Sequence, residues 1–444
     1  MSETVENVAC TVCGCVCDDL RITVDGGRVL HAENACSLSE PWLLKQTSEF
    51  FSPAEIDGRP VTFDEGLARA AEILGAARAP LIYGLSRSST DGQRAAIALA
   101  DQLGATIDTT ASRCHAPSIL AFHQVGESTC SLGEVRNRCD LVIYWGSNPV
   151  ESHPRHLERY SLYPAGRFVS GRAERTLVVA DIRETASSAL ADVFVPVAPD
   201  GDFSALWTLR SLIRGWIPPA GVDTGAPRDV LEDLARRMKS CRSGVVFFGL
   251  GLTRGRLGHR NVEALLALVR DLNDYTRFYA RRMRVQGDVA GADSVLCWQT
   301  GYPFSVNFAR GYPRYNPGEF SANDLLERNE VDACVLVGSE GVEWFSPAAK
   351  ARLREIPTIV LDYPGTPTAF VPQVRFTTAV YGVHRAGTAY RMDEVPIPLR
   401  PFLSLDGPSD AEVLASLATA CHFPASDQPI TIGPERERQH SPRT

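Results

Sequence analysis

Five cysteines lie within the first 36 residues of this 444-residue chain, four of them in the segment CTVCGCVCDDL. Cys10, Cys13, Cys17 and Cys36 follow the spacing Cys-x2-Cys-x3-Cys-x18-Cys. Three thiolates from one short loop and a distant fourth can hold a [4Fe–4S] cluster, and in that geometry Cys15 points away. A zinc ribbon would instead repeat a CxxC pair on two knuckles, so the spacing favours iron–sulfur over zinc.

A second candidate site is the segment SRCHAPS, which follows TIDTT at a predicted strand end. Ligands bind at the carboxyl ends of strands in α/β sheets. The Cys114 thiolate can ligate a metal there, and the adjacent His115 imidazole can transfer protons. On these two residues alone, a buried structural cysteine is the simpler alternative.

Two strand ends carry residues suited to a nucleotide. In DLVIYWGSNP, a strand leads into a turn from Gly146 to Asn148 whose backbone N–H groups can face a phosphate. In TLVVADIRET, Asp181 can bind a ribose or a base edge, and Arg183 can bind a phosphate. Neither stretch contains a GxGxxG or Walker motif, so ordinary αβ connections are the alternative. GLGLTRG at 249–255 is a similar, weaker candidate.

Alternating strands and helices must position these residues. RITVDGGRVLHAE reads as a hairpin with its turn at DGG, and helix-capping patterns occur at Thr62–Glu65 and Thr90–Gln93. Buried strands alternating with amphipathic helices predict an α/β fold with Rossmann-like parallel sheets, two in number, after a small N-terminal iron–sulfur subdomain. The segment 299–320 lacks periodicity and predicts an ordered irregular loop. The predicted strands are 79–85, 140–146, 176–182, 244–252, 333–339 and 358–364.

The composition excludes some classes of function. The net charge of −8 argues against a nucleic-acid binder, which needs a basic surface. The longest apolar stretch, 244–252, is shorter than a membrane span of roughly 18 residues, and no secretory signal is visible. We therefore expect a cytoplasmic protein without nucleic-acid or membrane partners.

Taken together, these motifs resemble those of the molybdopterin oxidoreductases, and most closely the B subunit of formylmethanofuran dehydrogenases. The resemblance extends along nearly the whole chain. It is most specific in QTGYPFSVNFARGYPRYNPGEF, a segment rarely seen outside that subunit. The other segments that carry it are CTVCGCVCDDL, NACSLS, SRCHAPS, YWGSNPVESHPRH, DIRET and RRMRVQGDVAGAD.

The resemblance implies roles for individual residues. Cys114 would ligate a tungsten or molybdenum ion held by two molybdopterin guanine dinucleotides, with His115 beside the metal. Arg284 would orient the one-carbon substrate, and Asn148 and Asp181 would lie at the dinucleotide-binding strand ends. The [4Fe–4S] ligands would be Cys10, Cys13, Cys17 and Cys36.

Combined with the element pattern, the resemblance also implies a division into domains. Residues 1–55 would form the [4Fe–4S] subdomain, and 56–136 with 280–425 an α/β domain that carries the metal-site loop. Residues 137–279 would form a Rossmann-like domain for the pterin dinucleotide, and 426–444 a flexible tail.

The implied activity is that of an oxidoreductase subunit in one-carbon metabolism and methanogenesis. It would reduce CO2 to formate, which an amidohydrolase subunit then condenses with methanofuran. Wider relatives end in a barrel domain, and no all-β stretch follows residue 400 here. The resemblance therefore implies a separate barrel subunit, in addition to the amidohydrolase and a formyltransferase-like subunit.

One departure from the family pattern opens an alternative. Redox relatives carry a lysine before a proline, between cluster and pterin, whereas FFSPAEIDGRP has Ser52 before Pro53 and the nearest lysine is Lys45. The chain would then be a largely structural subunit, with a vestigial redox site, of a bacterial formyltransferase/hydrolase complex that releases formate from formyl-tetrahydromethanopterin. The intact cysteine set and the Cys114–His115 pair favour the redox subunit. A metal-stabilised Rossmann protein of unrelated activity would leave the long aromatic loop unexplained.

Overall fold

The computed structural model describes residues 2–49, 52–219 and 221–421, so the predicted tail 426–444 lies outside the described residues. The described part of the chain alternates between strands and helices. In chain order the strands are β1 (Glu3–Val8), β2 (Leu20–Asp25), β3 (Arg28–Glu33), β4 (Ala54–Ile56), β5 (Arg59–Val61), β6 (Pro80–Gly84), β7 (Thr106–Thr109), β8 (Leu141–Trp145), β9 (Thr176–Asp181), β10 (Val193–Pro196), β11 (Ser243–Phe248), β12 (Arg277–Arg282), β13 (Val306–Asn307), β14 (Arg314–Tyr315), β15 (Ala333–Val337), β16 (Thr358–Asp362), β17 (Val374–Thr377), β18 (Gly387–Tyr390) and β19 (Pro396–Leu399).

Most of the longer helices lie between consecutive parallel strands, as expected for βαβ units. Several others are single turns that follow a strand end. The helices are α1 (Glu40–Leu43), α2 (Phe63–Ala76), α3 (Thr90–Leu103), α4 (Ala111–Cys114), α5 (Ala116–Val125), α6 (Leu132–Arg138), α7 (Pro149–Ser152), α8 (Asp202–Ile213), α9 (Arg228–Ser240), α10 (Leu250–Thr253), α11 (Gly258–Leu272), α12 (Val289–Thr300), α13 (Ala322–Glu327), α14 (Pro347–Glu355) and α15 (Asp410–Ala420).

Two sheets with parallel strands form the body of the described chain, which confirms the predicted α/β class. The larger has the order β14-β13-β7-β6-β15-β16-β17-β4-β5, and its five central strands, β7 to β17, are parallel. The smaller has the order β10-β9-β8-β11-β12 and is parallel throughout. Strands β6, β8, β15 and β16 are buried along their whole length, because other elements cover both faces of each sheet.

The chain crosses between the two sheets twice. It leaves the larger sheet after β7, completes the smaller sheet from β8 to β12, and returns through α12 to β13. Strands that are far apart in sequence therefore pair in the larger sheet, as Leu81 does with Cys334. Both crossings pass the carboxyl ends of the central strands, where the candidate site lies.

A three-stranded antiparallel sheet, β1-β2-β3, precedes these two sheets. It packs on one face of the smaller sheet, where Leu20 and Ile22 share a core with Tyr144 and Phe247. The predicted hairpin is present, and its turn at Gly26 and Gly27 has φ angles of 55° and 74°. Whether residues 1–55 are an iron–sulfur subdomain stays a prediction.

Local sequence signals are correct at one helix and wrong at the next. Thr62 and Glu65 form the predicted capping box at α2. At α3 the cap is Ser89, whose side chain accepts from Gly92 N–H, and the prediction of Thr90–Gln93 is wrong. Gln93 is instead buried and donates to Asp288 Oδ2, at 3.2 Å. A tertiary contact has replaced the local one.

Two other predictions differ from the structure in extent. The strand predicted at 244–252 ends at Phe248, because the turn that follows packs on Gly146. The loop predicted at 299–320 is ordered and largely irregular, but it also contains β13 and β14. These two short strands extend the larger sheet, because β13 pairs antiparallel with β7 and β14 pairs antiparallel with β13.

Candidate functional site

The five N-terminal cysteines line one cavity, here called the cysteine cavity. The loop between β1 and β2 carries the first four of them, and Cys10 N–H closes this loop by donating to Cys17 O at 2.8 Å. The β2–β3 hairpin returns the chain to Cys36. The cavity contains about 310 Å³ of empty space, and Pro154 and Arg155 beyond α7 complete its wall.

The thiols of this cavity lie close enough to affect one another. Burial, followed by the charges of the neighbouring cysteines, raises the pKa of Cys10. A hydrogen bond from Cys15, together with Arg159 and Arg155, lowers the pKa of Cys17 to about 7. Cys15 therefore lies within the cavity and does not point away as predicted. Two arginines compensate for thiolate charge here.

A second cavity, here called the Cys114 cavity, brings together three residues that were predicted to be catalytic. Strand β7 ends at Thr109, and the single turn α4 places Cys114 and His115 beyond its carboxyl end. Arg284 reaches the same cavity from the segment after β12. The empty space is about 230 Å³, and the remaining walls are Leu250, Val285, Gln286, Val289 and Trp344.

The Arg284 guanidinium is held on one side and free on the other. Its Nη1 donates to Val289 O at 3.2 Å and to Asp293 Oδ2 at 2.5 Å. Asp293 also accepts from Thr109 Oγ1 at 2.8 Å, which ties the arginine to the strand before Cys114. Arg284 Nε and Gln286 Oε1 are buried, and neither has a hydrogen-bond partner among the described residues. One donor and one acceptor therefore remain for a bound molecule.

Burial controls protonation at the Cys114 cavity. It raises the pKa of the Cys114 thiol to about 12, against the opposing effect of the Arg284 charge. It also lowers the pKa of His115 well below its usual range, and Arg284 adds to that effect. The imidazole is therefore neutral at neutral pH. Cys114 ionises there only if a further positive charge, such as a metal ion, stabilises the thiolate.

A third cavity, here called the glycine cavity, opens where β8 and β11 end side by side. An added Cβ on Gly251 would lie 2.7 Å from Gly146 Cα, so the two turns pack backbone against backbone. Gly251 N–H donates to Gly146 O at 3.0 Å. The cavity contains about 640 Å³ of empty space, and its walls include Gly146, Ser147, Asn148, Glu151 and Ser152.

The four predicted cofactor-binding residues lie at this edge in two groups. Gly146 and Asn148 line the glycine cavity, and the Asn148 side chain accepts from Ser187 N–H and Oγ. Asp181 ends the neighbouring strand β9, where its carboxylate accepts from Ile182 N–H at 2.8 Å. Arg183 is exposed beyond it. The structure therefore brings Gly146 and Asn148 together in the wall of the glycine cavity and places Asp181 and Arg183 outside that wall.

Sequence reasoning missed a fourth cavity, at the carboxyl edge of the larger sheet. Arg87 Nε donates to Glu340 Oε1 at 2.7 Å, and its Nη1 donates to Thr11 O in the cysteine loop at 3.1 Å. Asp362 ends β16, and Ser339 donates to it from its backbone N and Oγ. The strand-end acid in TIVLDYP is the same signal that was used for DIRET. The empty space here is about 260 Å³, and Asp410 completes the wall.

Two structural features are absent from the described ranges. Across 2–49, 52–219 and 221–421, no three His, Cys, Asp or Glu side chains are grouped so as to hold one metal ion. Within the same residues, no helix is both long and apolar enough to cross a membrane.

Comparisons with known proteins decide the family. No family model matches the chain. The B subunit of tungsten-containing formylmethanofuran dehydrogenase 2 from Methanocaldococcus jannaschii is 40% identical over 408 residues, covering 90% of this chain and 94% of that protein. The protein of the same name from Methanococcus maripaludis is 36% identical over 425 residues, covering 94% and 98%. The chain belongs to the family of formylmethanofuran dehydrogenase B subunits.

Other members of the wider group are more distant from this chain. The B subunit of the formyltransferase/hydrolase complex Fhc of Methylorubrum extorquens is 26% identical over 289 residues, covering 64% of this chain and 74% of that protein. In the solved structure of that complex with methylofuran, a chain matches with a TM-score of 0.66 and 24% identity, covering 83% and 98%. Acetylene hydratase from Pelobacter acetylenicus matches with a TM-score of 0.65 and 12% identity, covering 94% and 69%. These likenesses show a shared fold.

Membership of this family confirms the resemblance drawn from the motifs. It makes the chain part of an oxidoreductase complex rather than a Rossmann protein of unrelated activity. The roles of individual site residues and the domain boundaries stay predictions.

Proposed function

We propose that this chain is the redox subunit of a formylmethanofuran dehydrogenase complex, in which it interconverts CO2 and formate. One observation carries the proposal. Cys114, His115 and Arg284 converge on one buried cavity, in a chain 40% identical to a tungsten-containing formylmethanofuran dehydrogenase subunit. Formate would then be joined to methanofuran on a partner subunit.

The Cys114 cavity fits a tungsten or molybdenum ion that carries two pterin guanine dinucleotides. The Cys114 thiol is buried and needs a nearby cation to ionise, as argued above. The unpartnered Arg284 Nε and Gln286 Oε1 offer a donor and an acceptor to whatever fills the cavity. When bound, the metal would supply the two-electron chemistry of the reaction.

Two residues of the chain would then act on the one-carbon substrate. Arg284 would orient the carboxylate group by charge-assisted hydrogen bonding from Nε, because its Nη1 is already fixed by Asp293. The Nε2 proton of His115 faces Met283 O at 3.3 Å, so Nδ1, which lies 3.4 Å from Ser118 Oγ, is the nitrogen that would accept a proton and return it. Leu250, Val285, Val289 and Trp344 would exclude water from the same space.

Two cavities suit the two dinucleotides. The glycine cavity lies at the carboxyl ends of β8 and β11, where backbone N–H groups of the turns would face a pyrophosphate. The cavity at Asp362 offers a strand-end carboxylate for a base or ribose and the Arg87 guanidinium for a phosphate. Asp181 and Arg183 would contact the first dinucleotide at its outer end.

We further propose that Cys10, Cys13, Cys17 and Cys36 bind a [4Fe–4S] cluster in residues 1–55. In such a cluster each thiolate binds a different iron, so the four sulfurs surround a cube rather than converge on one ion. All four of these cysteines line the cysteine cavity, which supports the proposal. Lys45 is exposed, so the proposed electron path does not use it.

The partners would be an amidohydrolase subunit, a formyltransferase-like subunit and a barrel subunit. We keep the proposed domain division, 56–136 with 280–425 and 137–279; the two chain crossings between the sheets support it to within a few residues, since β12 of the smaller sheet ends at Arg282. A cytoplasmic location is part of the same proposal, since low-potential electron carriers and reduced thiols belong to a reducing compartment.

Metal analysis of the co-purified complex tests the proposal. We expect about four iron atoms per chain, tungsten or molybdenum in stoichiometric amount, and formate-dependent reduction of a viologen dye. Iron without tungsten or molybdenum, in a complex that still hydrolyses its formyl carrier, would contradict the redox assignment. That outcome would favour the structural-subunit alternative, whose relative is only 26% identical.

A further inference from the structure

One short segment contacts three of the cavities described above. In the segment 148–155, Asn148 and Ser152 line the glycine cavity, and Pro154 and Arg155 line the cysteine cavity. Between them, the His153 ring reaches Arg284, whose side chain lines the Cys114 cavity. Apart from Asn148, the sequence pattern assigns no role to any residue of this segment.

The His153 imidazole is fixed at both ring nitrogens. It is fully buried, and its Nε2 lies 2.7 Å from Arg284 O. A carbonyl can only accept, so Nε2 carries the proton and Nδ1 is the acceptor. Ser152 Oγ lies 2.8 Å from Nδ1 and 3.0 Å from Asn148 O, so its single proton is shared between these two acceptors. The ring therefore holds one tautomer and one orientation.

The same carbonyl also lies against the cysteine loop. A Cβ added to Gly14 would lie 2.3 Å from Arg284 O, a distance that no real contact allows. Gly14 O in turn accepts from Met392 N–H at 2.8 Å. The preceding carbonyl, Met283 O, lies 3.3 Å from His115 Nε2. Two imidazoles and one glycine thus fix the main chain at 283–284.

We infer that His153 is a positioning residue that holds the Arg284 main chain against the cysteine loop and so aims the guanidinium into the Cys114 cavity. The inference rests on the proposed function for the role of Arg284 in orienting a carboxylate. The contact between His153 Nε2 and Arg284 O is independent of the proposed function.

The test uses three variants of the assembled complex. His153→Ala removes the donor, and His153→Gln keeps an N–H of similar reach. His156→Gln is the matched control, because His156 lies just beyond this segment and is equally buried, but it bonds to Tyr144 OH, at 2.8 Å, and Ser161. The first readout is hydrogen exchange, followed by mass spectrometry, of the Met283 and Asp288 amides, which donate to Phe248 O and Ser86 O.

We expect these amides to exchange at least about tenfold faster in His153→Ala, which corresponds to about 1.4 kcal/mol. His153→Gln should restore most of the protection, and His156→Gln should leave it unchanged. In steady-state assays with formate and a viologen dye, His153→Ala should raise KM about tenfold while kcat changes less than threefold, since binding of the oriented carboxylate is lost first.

Unchanged exchange in His153→Ala would overturn the positioning role, whatever the activity of the complex. Equal acceleration in His153→Ala and His156→Gln would also overturn it, because the effect would then be general loosening. A wild-type complex without formate-linked activity, in which His153→Ala alone accelerates exchange, would contradict the proposed function and support the positioning role.

Discussion

The cysteine cavity and the Cys114 cavity are both buried and thiol-lined, yet they are built in different ways. The cysteine cavity takes its thiols from one loop and one hairpin within residues 10–36. The Cys114 cavity takes its walls from strand ends and connections between 114 and 344, and these meet only because the chain crosses twice between two sheets.

The difference decides what each cavity depends on. Local hydrogen bonds, such as the one from Cys10 N–H to Cys17 O, shape the cysteine loop. Long-range contacts shape the Cys114 cavity, including the hydrogen bond from Thr109 Oγ1 to Asp293 and the one from His153 to the Arg284 carbonyl. We therefore expect a substitution in one cavity to leave the other cavity unaffected. The exception is Gly14, which belongs to the cysteine loop and packs against Arg284 O.

The largest separation should come from replacing one thiol in each cavity. Cys114→Ser should lower formate-linked kcat/KM by more than about 100-fold and leave the iron content unchanged. Loss of an outer-shell partner of a metal ligand costs about 10–100-fold, and loss of the ligand itself should cost more. Cys36→Ser should instead lower the iron content of the complex. Metal analysis and dye-linked assays on both variants check this. Iron loss in Cys114→Ser would show that the two cavities are not independent.

The next largest effect concerns the buried pair at Arg284. Arg284→Gln leaves the Asp293 carboxylate buried without its cation, which costs about 3–5 kcal/mol. Adding Asp293→Asn should recover much of that loss, because a neutral amide can share hydrogen bonds with glutamine. Native-state hydrogen exchange of α12 measures both variants. No recovery in the double variant would mean that Arg284 stabilises the cavity by packing alone.

The third effect is a dependence on pH. Burial lowers the pKa of His153 to about 4, below its ordinary value of about 6.5. The unfolded chain then binds more protons in this window, so stability is full above pH 6.5 and falls as the pH drops toward 4, by about 3 kcal/mol. His153→Gln should remove this part of the slope of unfolding free energy against pH. An unchanged slope would mean that the pH dependence comes from His115 and His156, whose pKa values are also lowered by burial.

The smallest effect should come from the point where the cavities meet. Gly14→Ala forces the added methyl against Arg284 O, and overpacking of this kind costs about 1–3 kcal/mol. The matched control is Gly133→Ala in α6, where the nearest atom is Ser131 Oγ at 3.5 Å and a helical alanine is favourable. Hydrogen exchange at 283–284 should rise in the first variant only. A similar result in both would remove Gly14 as the link.

The same contrast explains how much could be predicted from the sequence. Local patterns predicted the hairpin, the capping box at Thr62 and six of the parallel strands, because those features depend on neighbours in sequence. They failed at Gln93, which left its local role for a contact with Asp288, and at the cavity beside Asp362. The convergence of Arg284 with Cys114 came from the family resemblance, since no periodicity relates residues so far apart.

The double crossing between the sheets also bears on how the chain folds. The smaller sheet is continuous from β8 to β12 and can form from its own segment, whereas the pairing of Leu81 with Cys334 closes a very long loop. Loop closure of this kind is entropically costly and slow. We therefore expect the smaller sheet to assemble first, so that the walls around Cys114 are completed late. A bulky ligand that binds in this interior would therefore have to enter before the walls around Cys114 are complete.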